Sequence, residues 1–154
     1  MKFKKIEFAR QTNFILALLL IHFAFFGYLS NVYEKDIGEG VLFLYQVMFD
    51  PRSYFASIIL ALIVFLMVFR ERFFEYGIRN SIWLIPFIIV QSWIWYWFVV
   101  ENFDISVIWG YFTRIESYIT IFILLGINVL SAILGAIARE RYNIFISRGK
   151  KIDI

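Results

Sequence analysis

Four long apolar segments separated by short charged stretches are the feature that most restricts the fold of this chain. A helix needs about 20 apolar residues to cross a hydrocarbon core of ~30 Å, and each segment is close to that length. Its composition, 62% hydrophobic and 18% charged residues, is also unusual for a soluble domain. We therefore predict an all-α integral membrane protein with four transmembrane helices, at about residues 13–29, 53–69, 81–100 and 115–138.

Two of these segments carry helix-start signals. Asp50-Pro51 precedes the second segment, and an acidic cap followed by proline suits the first turn of a helix. Thr113 and Glu116 have the spacing of a capping box at the start of the fourth segment. The alternative count is three crossings, with the short second segment lying in the membrane interface.

The basic residues indicate the orientation. Of the 15 Lys and Arg residues, all but Lys35, Arg52 and Arg114 fall in the two terminal regions and in the loop at residues 70–79. The positive-inside rule then places both termini in the cytoplasm, in a cell's inner (cytoplasmic) membrane. Residues 1–154 form a single transmembrane domain of two hairpins, and residues 139–154 form a basic cytoplasmic tail. Because topology explains the basic residues, we expect no nucleic-acid partner.

Each predicted outer loop contains a short apolar segment. Val41–Phe49 and Ile105–Phe112 are too short to span, so we expect them to lie in the outer interface or dip into it. Both return helices end in Arg-Glu-Arg-aromatic, at Arg70–Phe73 and Arg139–Tyr142. The spacing of such shared sequence features differs between the two halves of the chain. Chance similarity, together with the positive-inside rule, is therefore preferred to an internal duplication.

The residue content excludes several chemistries. The chain has no cysteine, which removes disulfides, thiolate metal sites and thiol redox reactions. No catalytic motif is visible, and no charged residue lies in the middle of a predicted crossing. We therefore expect a non-enzymatic protein without cofactor or metal. A single histidine rules out bis-histidine haem within one chain, and a haem shared with a partner is the weaker alternative.

Three polar side chains lie inside the predicted crossings. His22, Gln91 and Asn128 are each about 15 Å from the cytoplasmic end of their helix, at a common level near the midplane. The preferred interpretation is a set of interhelical hydrogen bonds, worth ~0.6 kcal/mol each. The alternative is a binding or conduction site.

Small residues mark candidate packing faces. Small side chains allow membrane helices to approach closely, either within the bundle or against another protein. The fourth helix carries one stripe and the second a shorter patch; the stripe is Asn128, Ser131, Gly135 and Ala138, and the patch is Ser57 and Ala61.

The third helix is rich in tryptophan. Trp93 and Trp97 share a face, whereas Trp95 points nearly the opposite way, one turn beyond Gln91. Trp97 is expected in the outer aromatic belt. We expect Trp95 to cover Gln91 or to pack on a partner.

These features favour partners within the membrane: the lipid bilayer, and other membrane proteins or further copies of the chain. The first hypothesis is an accessory or assembly subunit of a membrane complex. Four crossings with both termini inside also resemble the immunity proteins of some pore-forming colicins, which implies protection against a pore-forming bacteriocin. The third hypothesis is a small transporter or channel subunit built around the midplane layer.

Overall fold

The computed structural model describes residues 2–27, 43–49, 54–71 and 73–149, and secondary structure in these ranges is entirely helical. Asp50-Pro51, the start of the segment at residues 41–49 and the tail beyond residue 149 lie outside the described residues. The described helices are α1 (Lys2–Leu20, continued by a π-helical segment, Ile21–Phe26), α2 (Phe43–Phe49), α3 (Tyr54–Arg70), α4 (Phe74–Val100), α5 (Ser106–Tyr111) and α6 (Ile115–Gly149).

Two helices are long and apolar enough to cross a membrane. They cover Phe74–Val100 and Ile115–Arg148, with mean hydropathies of 1.6 and 2.5. The helices over Gln11–Phe26 and Phe55–Arg70 are apolar but shorter. The described chain is therefore an all-helical protein with two candidate spanning helices, and the other two crossings stay predictions.

Two helices extend beyond their predicted ends. α4 begins at Phe74 rather than residue 81, and α6 continues to Gly149 rather than ending at residue 138. Arg and Glu in these stretches lower the hydropathy but are good helix formers. α6 does start at the expected position. However, the Thr113 hydroxyl, expected as an acceptor in a capping box, donates a hydrogen bond to the Gly110 carbonyl (2.8 Å). The first part of the predicted tail is therefore helical.

Two pairs of neighbouring helices in the bundle run in the same direction. α1 lies beside α4, where the rings of Phe14 and Phe87 are 5.6 Å apart, and α3 lies beside α6 in the most extensive interface of the bundle. We call the end where α3 stops and α4 begins the basic end, since it carries Arg70 and Arg79. We call the opposite end, between α4 and α6, the acidic end, since it carries Glu101, Asp104 and Glu116.

The centre of the bundle is apolar. α3 turns Ala56, Leu60 and Val64 inward, so the predicted small patch of Ser57 and Ala61 is half-buried at the flank of this face. The short helices α2 and α5 also contribute to the core, through Leu44, Val47, Met48, Val107 and Tyr111. Many apolar side chains face outward, among them Ile58, Leu62, Phe122 and Leu130, as expected of helices surrounded by lipid.

Candidate functional site

His22 is bonded to the neighbouring helix. The indole Nε1 of Trp95 donates to His22 Nδ1 (3.1 Å), and the two rings are 5.1 Å apart. Trp95 also stacks on Phe26, with ring centroids 6.5 Å apart. Both of its ring contacts belong to the π-helical segment of α1, so Trp95 packs within the chain.

Gln91 lies one helical turn from Trp95 on the same seam between α1 and α4. Its Nε2 donates to the Leu18 carbonyl (3.3 Å). Its Oε1 is buried without a partner in the described part of the chain. Burying an amide oxygen without a hydrogen-bond donor costs free energy. Gln91 Oε1 is therefore the energetically unfavourable part of this contact between α1 and α4.

Asn128 is fully buried on α6 and belongs to a different contact. Its Nδ2 donates to the Ser81 carbonyl of α4 (2.8 Å), and its Oδ1 has no partner among the described residues. Ser81 precedes Gln91 by about 15 Å along α4. His22 and Gln91 therefore lie on one seam, whereas Asn128 lies at the level of Ser81. The depth of Gln91 was counted from residue 81, but α4 already begins at Phe74.

Part of the small-residue stripe of α6 faces α3. Ser131 is buried, and a Cβ built on Gly135 would lie 2.7 Å from the backbone oxygen of Phe65. Ala138 is half-buried at the flank. The stripe continues instead through Arg139. Arg139 was not predicted as a site residue, although its i+4 spacing from Gly135 places it on the same face of α6. These contacts are internal to the bundle.

Arg139 caps the end of α3. Its Nη1 donates to the Phe69 carbonyl (2.7 Å), one of the last four carbonyls of that helix, which lack helical partners. The rings of Phe69 and Tyr142 are 5.8 Å apart. A side chain of α6 thus fixes the basic end of α3.

A cavity of about 480 Å³ opens beside this contact. It contains a buried acid, Glu71, which is 6% exposed and whose Oε2 accepts a hydrogen bond from Asn13 Nδ2 (3.4 Å). Glu71 was not predicted as a site residue, although Glu71 is part of the first Arg-Glu-Arg-aromatic sequence. The lining residues are Val68, Glu71, Phe74, Ile133, Ala136, Ile137, Arg139, Glu140 and Asn143.

Buried aromatic rings organise the acidic end. Trp93 packs edge-on against Tyr111, with ring centroids 5.6 Å apart. The Trp93 indole N–H and the hydroxyls of Tyr111 and Ser117 lack partners among the described residues. Burial raises the pKa of Tyr111 to about 12, against a smaller lowering by the nearby Ser117 hydroxyl, whose geometry falls short of a hydrogen bond.

A polar turn follows α4 at the same end. Trp97, the expected belt residue, donates from Nε1 to the Asp104 carbonyl (3.1 Å). The Ser106 hydroxyl and backbone N–H both donate to the Asp104 carboxylate (2.6 and 2.8 Å). These bonds hold the pKa of Asp104 below its usual value.

Comparison with known proteins adds no assignment. No protein-family model matches the chain, and no curated protein or solved structure matches it. Within the described ranges, no three His, Asp or Glu side chains are placed to hold a metal ion. Function is therefore inferred from the contacts and surfaces of the bundle.

Proposed function

We propose that this chain is a non-enzymatic membrane protein that acts as an accessory or assembly subunit and binds a larger membrane complex through helix–helix contacts. One observation carries the proposal: α6 continues past Arg139 as a helix whose residues 140–148 are all exposed. Tyr142, Phe145 and Ile146 share one face of this extension, and Phe145 is 77% exposed.

The hydrocarbon core of the bilayer does not account for this face. The 35 residues of α6 correspond to about 52 Å of helix, whereas the hydrocarbon core is ~30 Å thick. An amphipathic helix with exposed apolar side chains beyond the hydrocarbon, such as Phe145, suits a groove on another protein. By contrast, His22, Trp95, Gln91 and Asn128 form hydrogen bonds within the chain.

The proposed setting is an inner membrane crossed four times, with both termini in the cytoplasm. The outward apolar side chains of α3, including Ile58 and Leu62, and the basic residues at one end of the bundle support it. Because the chain has no cysteine, single-cysteine variants at exposed Phe103 and Phe145 can be labelled uniquely. A membrane-impermeant maleimide should modify F103C on intact cells and F145C only after permeabilisation; the reverse pattern would reject this topology.

Co-purification tests the role itself. The tagged protein, solubilised from native membranes in mild detergent, should retain other membrane proteins, and Phe145→Ser should lose them. Ile144→Ser is the matched control, since Ile144 is exposed about 200° from Tyr142 and Ile146 around the helix. Recovery of the wild type as a clean monomer would contradict the proposal.

A transporter or channel subunit is a further candidate. It is favoured by the buried Gln91 Oε1 and Asn128 Oδ1, which have no partner among the described residues and could accept hydrogen bonds from a polar solute. Flux in proteoliposomes that is abolished by Gln91→Leu or Asn128→Leu would support it. A bacteriocin immunity role rests on the predicted topology, and survival of toxin-treated cells expressing the protein would test it.

A further inference from the structure

The lining of the cavity at the basic end changes from apolar to polar along α6. Ile133, Ala136 and Ile137 line the part nearer the middle of the bundle, and Glu140 and Asn143 follow on the same helix. The span from Ile133 to Asn143 is about 15 Å of α6. An amphipathic ligand would place its apolar part among the isoleucines and its polar part at the end of the bundle.

The polar part of the cavity carries both signs of charge. Glu71 and Glu140 provide two carboxylates, and Arg139 provides one guanidinium. Glu71 is buried, and the long bond from the neutral Asn13 amide (3.4 Å) compensates a buried carboxylate only weakly. Arg139 uses Nη1 on the Phe69 carbonyl, and a guanidinium has five N–H donors in total. The cavity therefore complements a ligand with a cationic amine and an adjacent anion.

We propose that this cavity binds a phospholipid with a primary-amine headgroup. The ammonium donates to Glu71 and Glu140, the phosphate accepts from Arg139, and the first part of the acyl chains packs on Ile133 and Ile137. A volume of about 480 Å³ is in the range of small-molecule sites.

The headgroup chemistry follows from the same residues. A primary ammonium offers three N–H donors to the carboxylates, whereas a quaternary choline offers none. A glycerol headgroup has neutral hydroxyl donors and no positive charge to neutralise the carboxylates. The inference depends on the proposed membrane setting of α4 and α6 and is independent of any protein partner.

Native mass spectrometry of the purified full-length protein tests this site. The protein in detergent receives equal amounts of phosphatidylethanolamine, phosphatidylcholine and phosphatidylglycerol with identical acyl chains. The ethanolamine lipid should be bound about tenfold more than either competitor, the effect of one charge-assisted hydrogen bond. Equal binding of the three lipids, or preference for the choline or glycerol lipid, would overturn the proposal.

Three variants assign the preference to the cavity. Glu71→Gln and Glu140→Gln should each remove most of it, whereas Glu75→Gln should keep it, because Glu75 is exposed at the same end outside the lining. If Glu71→Gln does not fold, Glu140→Gln alone decides: loss supports the site and retention rejects it. Loss in Glu75→Gln would also reject it. Since no protein partner is present, the result is separate from the co-purification test.

Discussion

Substitution of two glycines on α6 tests the packing of the bundle. Gly135 meets α3 so closely that an added Cβ would lie 2.7 Å from the Phe65 backbone oxygen and 3.3 Å from the Val68 Cβ. At Gly126, on the same helix, the added Cβ has no atom within 4 Å among the described residues, apart from its own chain neighbours and nearby helix backbone. Alanine improves helix propensity at both positions by roughly 1 kcal/mol, so this gain cancels when the two variants are compared.

The difference between the variants then reports the close contact of α3 and α6. A backbone oxygen cannot rotate away, and overpacking of this kind costs about 1–3 kcal/mol. Gly135→Ala should therefore be less stable than Gly126→Ala by about 1–3 kcal/mol. Unfolding in mixed micelles with increasing denaturing detergent, followed by tryptophan fluorescence, measures both. Equal stability of the two variants would refute the packing of Gly135 on Phe65.

Three further variants probe single contacts. Arg139→Met should lower the free energy of unfolding by about 1–3 kcal/mol, because it leaves the Phe69 carbonyl uncapped; an unchanged value in the same assay would argue against the cap. Asn128→Leu should cost no more than ~0.6 kcal/mol, since it removes the bond to the Ser81 carbonyl and also an Oδ1 that has no partner in the described part of the chain; a loss of several kcal/mol would contradict this expectation. Tyr111→Phe should abolish a loss of stability between pH 10 and 12, because burial raises the pKa of Tyr111 from 10.0 to about 12 and the unfolded chain deprotonates first; thermal unfolding with the same alkaline slope in both proteins would contradict it.

Hydropathy predicted the parts of the fold that depend on one helix at a time. The second segment, residues 53–69, is nearly the α3 of the structure, Tyr54–Arg70, because Arg70 ends both the apolar run and the helix. The start of α4 was missed because residues 74–80 include Glu75 and Arg79, which lower the hydropathy without disfavouring a helix.

For the candidate site residues, too, the sequence predicts features of a single helix but not the contacts between helices. The spacing of Asn128, Ser131 and Gly135 predicts a shared face, and all three are buried. The sequence pattern of one helix does not predict which neighbouring helix this face contacts, or at which level along the bundle. These depend on contacts between helices, such as that of Gly135 with Phe65. Glu71 follows α3 in sequence, and its burial beside Asn13 results from packing between helices.

Site-specific photo-crosslinking in native membranes tests the proposed partner most directly. A photoreactive phenylalanine replaces Phe145 on the exposed face of the α6 extension, or Ile144 as the control position on the same extension. An accessory subunit predicts one discrete crosslinked protein band from position 145 and little from position 144. Crosslinks to lipid alone at both positions, or bands of equal strength from the two, would contradict binding through this face.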